Sequence, residues 1–254
     1  MSEPKPLTEK QMSELMKLIK GADSVELKLT VPEANRQSTM KALGMDPLDA
    51  EIRQVVFFDT PDLALSEHGV VVRARRSQRK GDDTVVKLRP VVPDELPSSL
   101  RESADFSVEV DALPGGFVCS GSLKARLAQP DVKRALHGEM PIRKLFTKAQ
   151  RALLADRAPE GTELDDLAVL GPINVFKLRY SPSELGRKLV AEMWNYPDGS
   201  RVVELSTKCA PGEAFQVAAE TKVFLADRGV DLTAEQQTKT RTAMELFSQE
   251  LAGK

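Results

Sequence analysis

The residues that most enzyme chemistry depends on are scarce in this chain. Cys119 and Cys209 are its only cysteines, too few for a disulfide scaffold or a thiolate metal site, and consistent with a reduced, cytoplasmic protein. His68 and His137 are its only histidines, so any catalysis falls to carboxylates, lysines, arginines or a metal held by oxygen ligands. Aromatics make up 5% of the residues. No apolar run approaches the roughly 20 residues of a membrane span, and the opening "MSEPKPLTEKQ" has no apolar core of the kind a secretion signal needs. A net charge of −2 argues against a generic nucleic-acid binder, which carries a basic excess. The expected protein therefore has neither a membrane nor a nucleic-acid partner. With 254 residues it can bury a sizeable core as one large domain or two small ones.

Charge, by contrast, is abundant (29% of residues), and it is patterned. In "SVELKLTV" the apolar Val25, Leu27, Leu29 and Val31 alternate with Ser24, Glu26, Lys28 and Thr30, the period-two signature of a half-buried strand. Before it, "LTEKQMSELMKLIK" reads as an amphipathic helix capped by Thr8 and stopped at Gly21. After it, "PEANRQSTMKALG" reads as a second helix ending at Gly44. Short alternating runs then follow at 51–58, 69–76, 84–90, 105–111, 145–154, 173–180, 188–195 and 201–208. Such close spacing suggests a meander, hence a sandwich or barrel. The "PDGS" of 197–200 carries the Asp-Gly of a tight hairpin. Residues 91–104 read as a surface loop, 120–138 as helical with a break at Pro130, and the tail from Glu213 to Leu251 as two helices packed outside the sheet.

One face of strand after strand is charged. Arg73 and Arg75 share a face, as do Lys87 with Arg89, Lys177 with Arg179, and Glu109 with Asp111. Glu192 lines up with Trp194, and Glu204 with Ser206 and Lys208. Arg151 joins the basic set if 145–154 is a strand. An ordinary antiparallel sheet with one wet face would alternate in the same way. Three strands with paired like charges go further, because neighbours two apart repel. If the faces line a closed barrel, Lys28, Arg73, Arg75, Lys87, Arg89, Arg151, Lys177, Arg179 and Lys208 look across at Glu26, Glu109, Asp111, Glu192 and Glu204. Arginine forks and lysine point charges suit phosphate oxygens, and carboxylates beside phosphate call for a divalent cation. Hard oxygen ligands favour Mg²⁺ or Mn²⁺ over Zn²⁺.

This constellation resembles the CYTH domain, or triphosphate tunnel metalloenzyme superfamily. "SVELK" is similar to its amino-terminal Glu-x-Glu-x-Lys strand with Ser24 in the first position. "FFDTPDLALSEHGVVVRARR", "VVKLRP", "SVEVD", "LFTKAQRALL" and "VVELSTK" resemble the later motifs in the same order, and "TKTRTAM" resembles a Ser-Lys-x-x-Arg motif through Lys239. The resemblance implies an α+β protein of one domain over residues 1–254. Its centre is a closed eight-stranded antiparallel β-barrel with helices packed outside, the motif-bearing core running 24–210 and the last helices 213–251. It also implies a metal-dependent triphosphatase acting on a triphosphate-containing ligand, inorganic triphosphate foremost, with ATP and thiamine triphosphate beside it. Lys28, Arg73, Arg75, Lys87, Arg89, Arg151, Lys177, Arg179 and Lys208 would bind it. Glu26, Glu109, Asp111, Glu192 and Glu204 would hold Mg²⁺ or Mn²⁺, and Glu26 beside Lys28 would position a water for hydrolysis. The alternatives are a class IV-type adenylate cyclase, a thiamine triphosphatase and a triphosphate or nucleotide binder without turnover. The last arises because Ser24 and Ser206 stand where carboxylates are expected. A homodimer is compatible with this reading. Asp59 is expected to cap the Asp-Thr-Pro bend instead of joining the site.

Overall fold

The computed structural model describes residues 7–79, 81–232, 236 and 238–253. The alternating stretch becomes β1 (Ser24–Val31), followed by β2 (Glu51–Asp59), β3 (Val70–Ser77), β4 (Asp82–Leu88), β5 (Phe106–Leu113), β6 (Gly116–Leu127), β7 (Ala168–Tyr180), β8 (Leu189–Asn195) and β9 (Arg201–Cys209). They close into a barrel in the order β1-β5-β6-β4-β3-β2-β7-β8-β9, with β9 returning antiparallel onto β1. Closure removes every sheet edge. The barrel has nine described strands instead of the expected eight, and it is mixed, because β1 runs parallel to β5.

The extra strand is β6, and it corrects two expectations at once. Residues 120–138 were expected to be helical, yet "SGSLKARL" alternates Ser120, Ser122, Lys124 and Arg126 with Gly121, Leu123, Ala125 and Leu127 and pairs with β4 and β5. Only Asp131–Leu136 is helical there. Conversely, the strand expected at 145–154 is a helix, Lys148–Arg157. Its start is a capping box: Thr147 accepts from the Gln150 backbone, and the Gln150 side chain accepts from the Thr147 backbone. That reciprocal pair commits the chain to a helical turn before the apolar pattern can pair with a strand.

In chain order the helices are α1 (Glu9–Gly21), α2 (Arg36–Ala42), α3 (Ala64–Glu67), α4 (Ser98–Arg101), α5 (Asp131–Leu136), α6 (Lys148–Arg157), α7 (Ala214–Asp227) and α8 (Lys239–Ala252). The expected start of the last helix at 233 lies outside the described residues. As expected, helices cover the outer face. Leu15 and Ile19 of α1, Val132 of α5 and Leu153 and Leu154 of α6 pack with Val25, Val56, Phe58, Val72, Val86 and Val110. Phe224 and Leu225 of α7 pack with Leu29, Val31, Ala191 and Leu205. Each such side chain, fully buried, contributes roughly 1.5–3 kcal/mol, so the apolar face is the one turned outward to the helices. The charged face is thereby left inside.

The last helix goes further than the others. Ala243 and Met244 of α8 pack with Val55, Phe57, Val175, Trp194 and Val202. Val55 and Phe57 stand opposite Arg75 and Arg73 in the β2–β3 register, so this cluster fills part of the inward face, near the end of β2 and the start of β7. Ser248 donates to the Pro61 carbonyl beyond that end (2.6 Å). The Asp59 expectation holds: Oδ1 accepts from the Thr60 and Leu65 amides (2.8 and 2.9 Å) and Oδ2 from Ser66 (3.0 Å). Among the described residues, no helix is long and apolar enough to cross a membrane.

Candidate active site

Period-two alternation decides which side chains meet inside. Glu26 stands opposite Asp111 on β5 and opposite Lys208 on β9, while Lys28 stands opposite Ser206. On the other side, Arg75 faces Asp83 across β3–β4, and Asp83 faces Arg126 across β4–β6. The cavity inside the barrel has a volume of about 1570 Å³. Glu26, Lys28, Arg73, Arg75, Lys87, Arg89, Glu109, Lys177, Glu192, Glu204 and Lys208 all line it, so most of the expected site is brought together.

Asp111 is the centre of one half. It is fully buried, with Lys28 Nζ at 2.8 Å, Arg89 Nη2 at 3.1 Å and Lys87 Nζ at 3.9 Å. Burial alone would raise its pKa, but Lys28, Lys87 and Arg89 hold it below the ordinary value. Its oxygens are thus engaged by cations in the absence of a ligand, Lys28 closest. Glu109 pairs with Lys208 and accepts from the Ser24 hydroxyl at 3.4 Å. Burial opposes its ionisation and Lys208 more than offsets that, leaving its pKa lowered. Gly69 sets the approach to Arg89. It sits at φ 72° with its carbonyl accepting the Arg89 amide at 2.8 Å. A Cβ there would lie 2.7 Å from the Arg89 carbonyl, so only glycine lets the two segments meet.

Glu26, Glu109 and Asp111 each offer an oxygen within 4.8 Å of the others. Three hard ligands from two adjacent strands, one of them buried and short of aligned hydrogen bonds, fit a divalent cation of the Mg²⁺ or Mn²⁺ kind. Glu192 and Glu204 are not part of that group. Lys177 Nζ sits 2.7 Å from Glu192, and Lys239 Nζ sits 2.9 Å from Glu192 and 2.7 Å from Glu204. Burial opposes the ionisation of Glu192, yet Lys239 and Lys177 hold its pKa well down.

The basic wall is less fully paired. Arg75 donates through Nε to Asp83 at 2.8 Å. Arg73 makes no hydrogen bond through Nε, and burial followed by Arg75 pushes it down to about 10. Burial likewise pushes Lys87 down to about 8 against the pull of Asp111. Cations held this far from balance are poised for an anion.

Two expected members are placed elsewhere. Arg151 does not reach the barrel interior: it is exposed on α6 and donates to the Phe146 carbonyl at 2.8 Å, because 148–157 is a capped helix. Arg179 shares the Lys177 face but pairs with buried Glu51 at 2.9 Å, which also holds Arg53 at 3.0 Å. The structure adds Arg53, Lys124 and Arg126 to the cavity lining, and it places there Lys239, to which the "TKTRTAM" motif had pointed. Lys124 and Arg126 were legible in the β6 alternation, and Arg53 in the Glu51-x-Arg53 spacing.

No protein-family model matches the chain, and no curated protein does. Solved structures do. An adenylyl cyclase candidate from Hippeastrum, described as having a dominant triphosphatase activity, superposes with a TM-score of 0.65 at 16% identity, over 87% of this chain and 94% of that one. An adenylate cyclase candidate from Bacillus halodurans superposes with a TM-score of 0.59 at 14% identity, over 87% and 97%. The closed, helix-covered barrel of this chain is thus a fold it shares with both of these structures, as the resemblance to the CYTH domain implied.

Proposed function

We propose that the protein hydrolyses a triphosphate inside its tunnel with the help of Mg²⁺ or Mn²⁺, inorganic triphosphate being the foremost substrate. The observation that carries this reading is the presence, in one cavity, of Arg73, Arg75, Lys87, Arg89 and Lys124 together with Glu26 and Glu109, which form an acidic group with buried Asp111. The dominant triphosphatase activity of the Hippeastrum protein supports it. Trp194, the only tryptophan, is buried and stacked on Phe57 with ring centroids 6.4 Å apart, which leaves it unavailable to hold a base and favours a substrate without one.

In this scheme the basic wall grips the phosphates and meets the charge that grows on the leaving diphosphate. A divalent ion at Glu26, Glu109 and Asp111 would neutralise phosphate oxygens and acidify bound water. Asp111 is fully covered and Glu26 partly open, so Glu26 is the carboxylate able to orient a water toward the terminal phosphorus. The water oxygen bonds to phosphorus as the bridging P–O bond breaks, giving phosphate and diphosphate. Lys28, 3.3 Å from Glu26 and 2.8 Å from Asp111, holds both carboxylates in place and helps to lower the pKa of Asp111.

A second reading, binding without turnover, is favoured by Ser24, whose hydroxyl occupies the place beside Glu109 where a further ligand would sit. Phosphate release from inorganic triphosphate, ATP and thiamine triphosphate, each with Mg²⁺ and Mn²⁺, tests the proposal. Fastest release from inorganic triphosphate, abolished by a chelator, is expected. Cyclic AMP from ATP would replace hydrolase by cyclase, and calorimetric binding with no product would establish the sensor.

A further inference from the structure

The five carboxylates expected to hold metal fall into two groups that differ in how their cations are supplied. Around Glu109 and Asp111 the cations are strand side chains bordering the open cavity. Lys208 is about half exposed, and Lys28, Lys87 and Arg89 line the cavity. Glu192 and Glu204 stand directly opposite each other on β8 and β9, an arrangement that repels unless a cation lies between. That cation is Lys239. Its ammonium is 2.9 Å from Glu192 Oε2, 2.7 Å from Glu204 Oε1 and 5.2 Å from the Trp194 ring centroid. Burial works against its charge, but Glu192 and Glu204 more than restore it, so its pKa is raised.

The helix that delivers it is fixed. Ala243 and Met244, one turn further on, are essentially fully buried, and the Tyr196 hydroxyl donates to the Lys239 carbonyl at 3.3 Å. With its backbone held there, the Lys239 side chain is 12% exposed, against 53% for Lys208. We infer that Glu192 and Glu204 form a second cation position in the tunnel, filled by the tethered ammonium of Lys239, so that the ligand-free protein takes a single divalent ion, at Glu26, Glu109 and Asp111. This rests on the metal-dependent reading only for the first position. An ammonium carries half the charge of a divalent ion and bridges the same two carboxylates without exchanging with solvent.

The test is Mn²⁺ binding to the full-length protein, counted by the loss of the free Mn²⁺ paramagnetic resonance signal in the absence of triphosphate. Wild type should bind a single ion, and Glu26→Gln should weaken it at least about tenfold, the loss of a charge-bearing ligand being worth upward of 1.4 kcal/mol. Lys239→Met should bind a second ion, and Lys239→Met combined with Glu26→Gln should keep that one. Lys239→Arg, which retains a cation, should stay at the wild-type count. Terbium luminescence gives a readout tied to place, because Trp194 donates toward Glu192 at 3.4 Å. Excitation of the lone tryptophan should sensitise terbium strongly in Lys239→Met and in Lys239→Gln, the variant to use if Lys239→Met melts. Two tight Mn²⁺ ions in wild type, or no gain on removing the lysine, would overturn the inference. An ion gained by Lys239→Met when wild type binds none would uphold it while defeating the metal reading of the first group.

Discussion

Arg73 should be a residue whose removal makes the protein more stable and worse at binding. Its Nε has no hydrogen-bond partner, and the anions around it are taken: Asp83 by Arg75, and Glu192 by Lys177 and Lys239. Burial and the neighbouring Arg75 depress its pKa to about 10. At 1.36 kcal/mol per pH unit the drop from the ordinary arginine value is worth at most about 3 kcal/mol. Water in an open cavity screens part of that, leaving roughly 1–2 kcal/mol. Arg73→Met removes the charge while filling much of the same space, so the ligand-free variant should melt about 2–8 °C higher, at 2–4 °C per kcal/mol for a chain of this size. Inorganic triphosphate should reverse the order. The lost charge-assisted contact is worth about 1.5–3 kcal/mol, a roughly 10- to 100-fold weaker Kd, and at a fixed ligand concentration most of the ligand-induced rise in Tm disappears with it. Thermal melting with and without triphosphate reads both effects. A variant that melts below wild type without ligand would show that Arg73 is balanced by the fold. A ligand shift as large as wild type's would show that triphosphate does not engage β3.

Ser24→Glu places a carboxylate beside Glu109, its cross-strand partner. The variant should lose stability in chelator and regain it with Mn²⁺, seen as a larger metal-induced rise in Tm than wild type shows. Lys87, held near 8 by burial and by Lys28 and Arg89 against Asp111 and Glu109, should give a pH limb. Its folded pKa lies below the unfolded one, so its contribution to stability improves as pH rises through about 8. Triphosphate affinity, which needs the ammonium, should fall over the same range; calorimetry at pH 7 to 9 should show this in wild type and a flatter profile in Lys87→Arg. Gln150→Leu should cost about 2–4 kcal/mol in urea unfolding. It removes the buried contacts of α6 to Thr84 (3.1 and 3.2 Å) and to the Leu123 carbonyl (3.1 Å), and Mn²⁺ binding per folded molecule should be unchanged.

Most of the barrel was legible because the period-two signal is carried by charge. Runs such as "VVVRARR" and "TVVKLRP" cannot bury both faces, so strand and face follow together. The failures came where that signal met a competing one. "SGSLKARL" alternates as cleanly as any other strand, but its inward serines are small and weakly polar, and Pro130 just beyond it suggested a broken helix. In "TKAQRALL" the apolar spacing admits a strand, and only the Thr147–Gln150 capping box, two residues acting locally, decides for a helix. The parallel β1–β5 pairing had no local signature at all. It depends on which strands meet when the sheet closes, a long-range matter that no window of sequence contains.

The site was legible in composition more than in pairing. Five carboxylates were expected to act as one metal shell, and the structure divides them according to which cation each can reach. Lys239 makes that division, and it comes from a helix far along the chain whose register against the barrel is set by Ala243 and Met244. Arg179 shows the same effect in reverse. Its face is right, but Glu51 lies within 2.9 Å and takes it out of the cavity wall. In a tunnel this rich in charge, the residues free to act are those that the rest of the wall leaves underpaired. Arg73, with Nε unpartnered, is such a residue, whereas Asp111 already holds Lys28 and Arg89 within 3.1 Å. A triphosphate that draws those cations toward itself makes the carboxylate a better metal ligand, which is the physical argument for a metal–triphosphate pair over either ion alone.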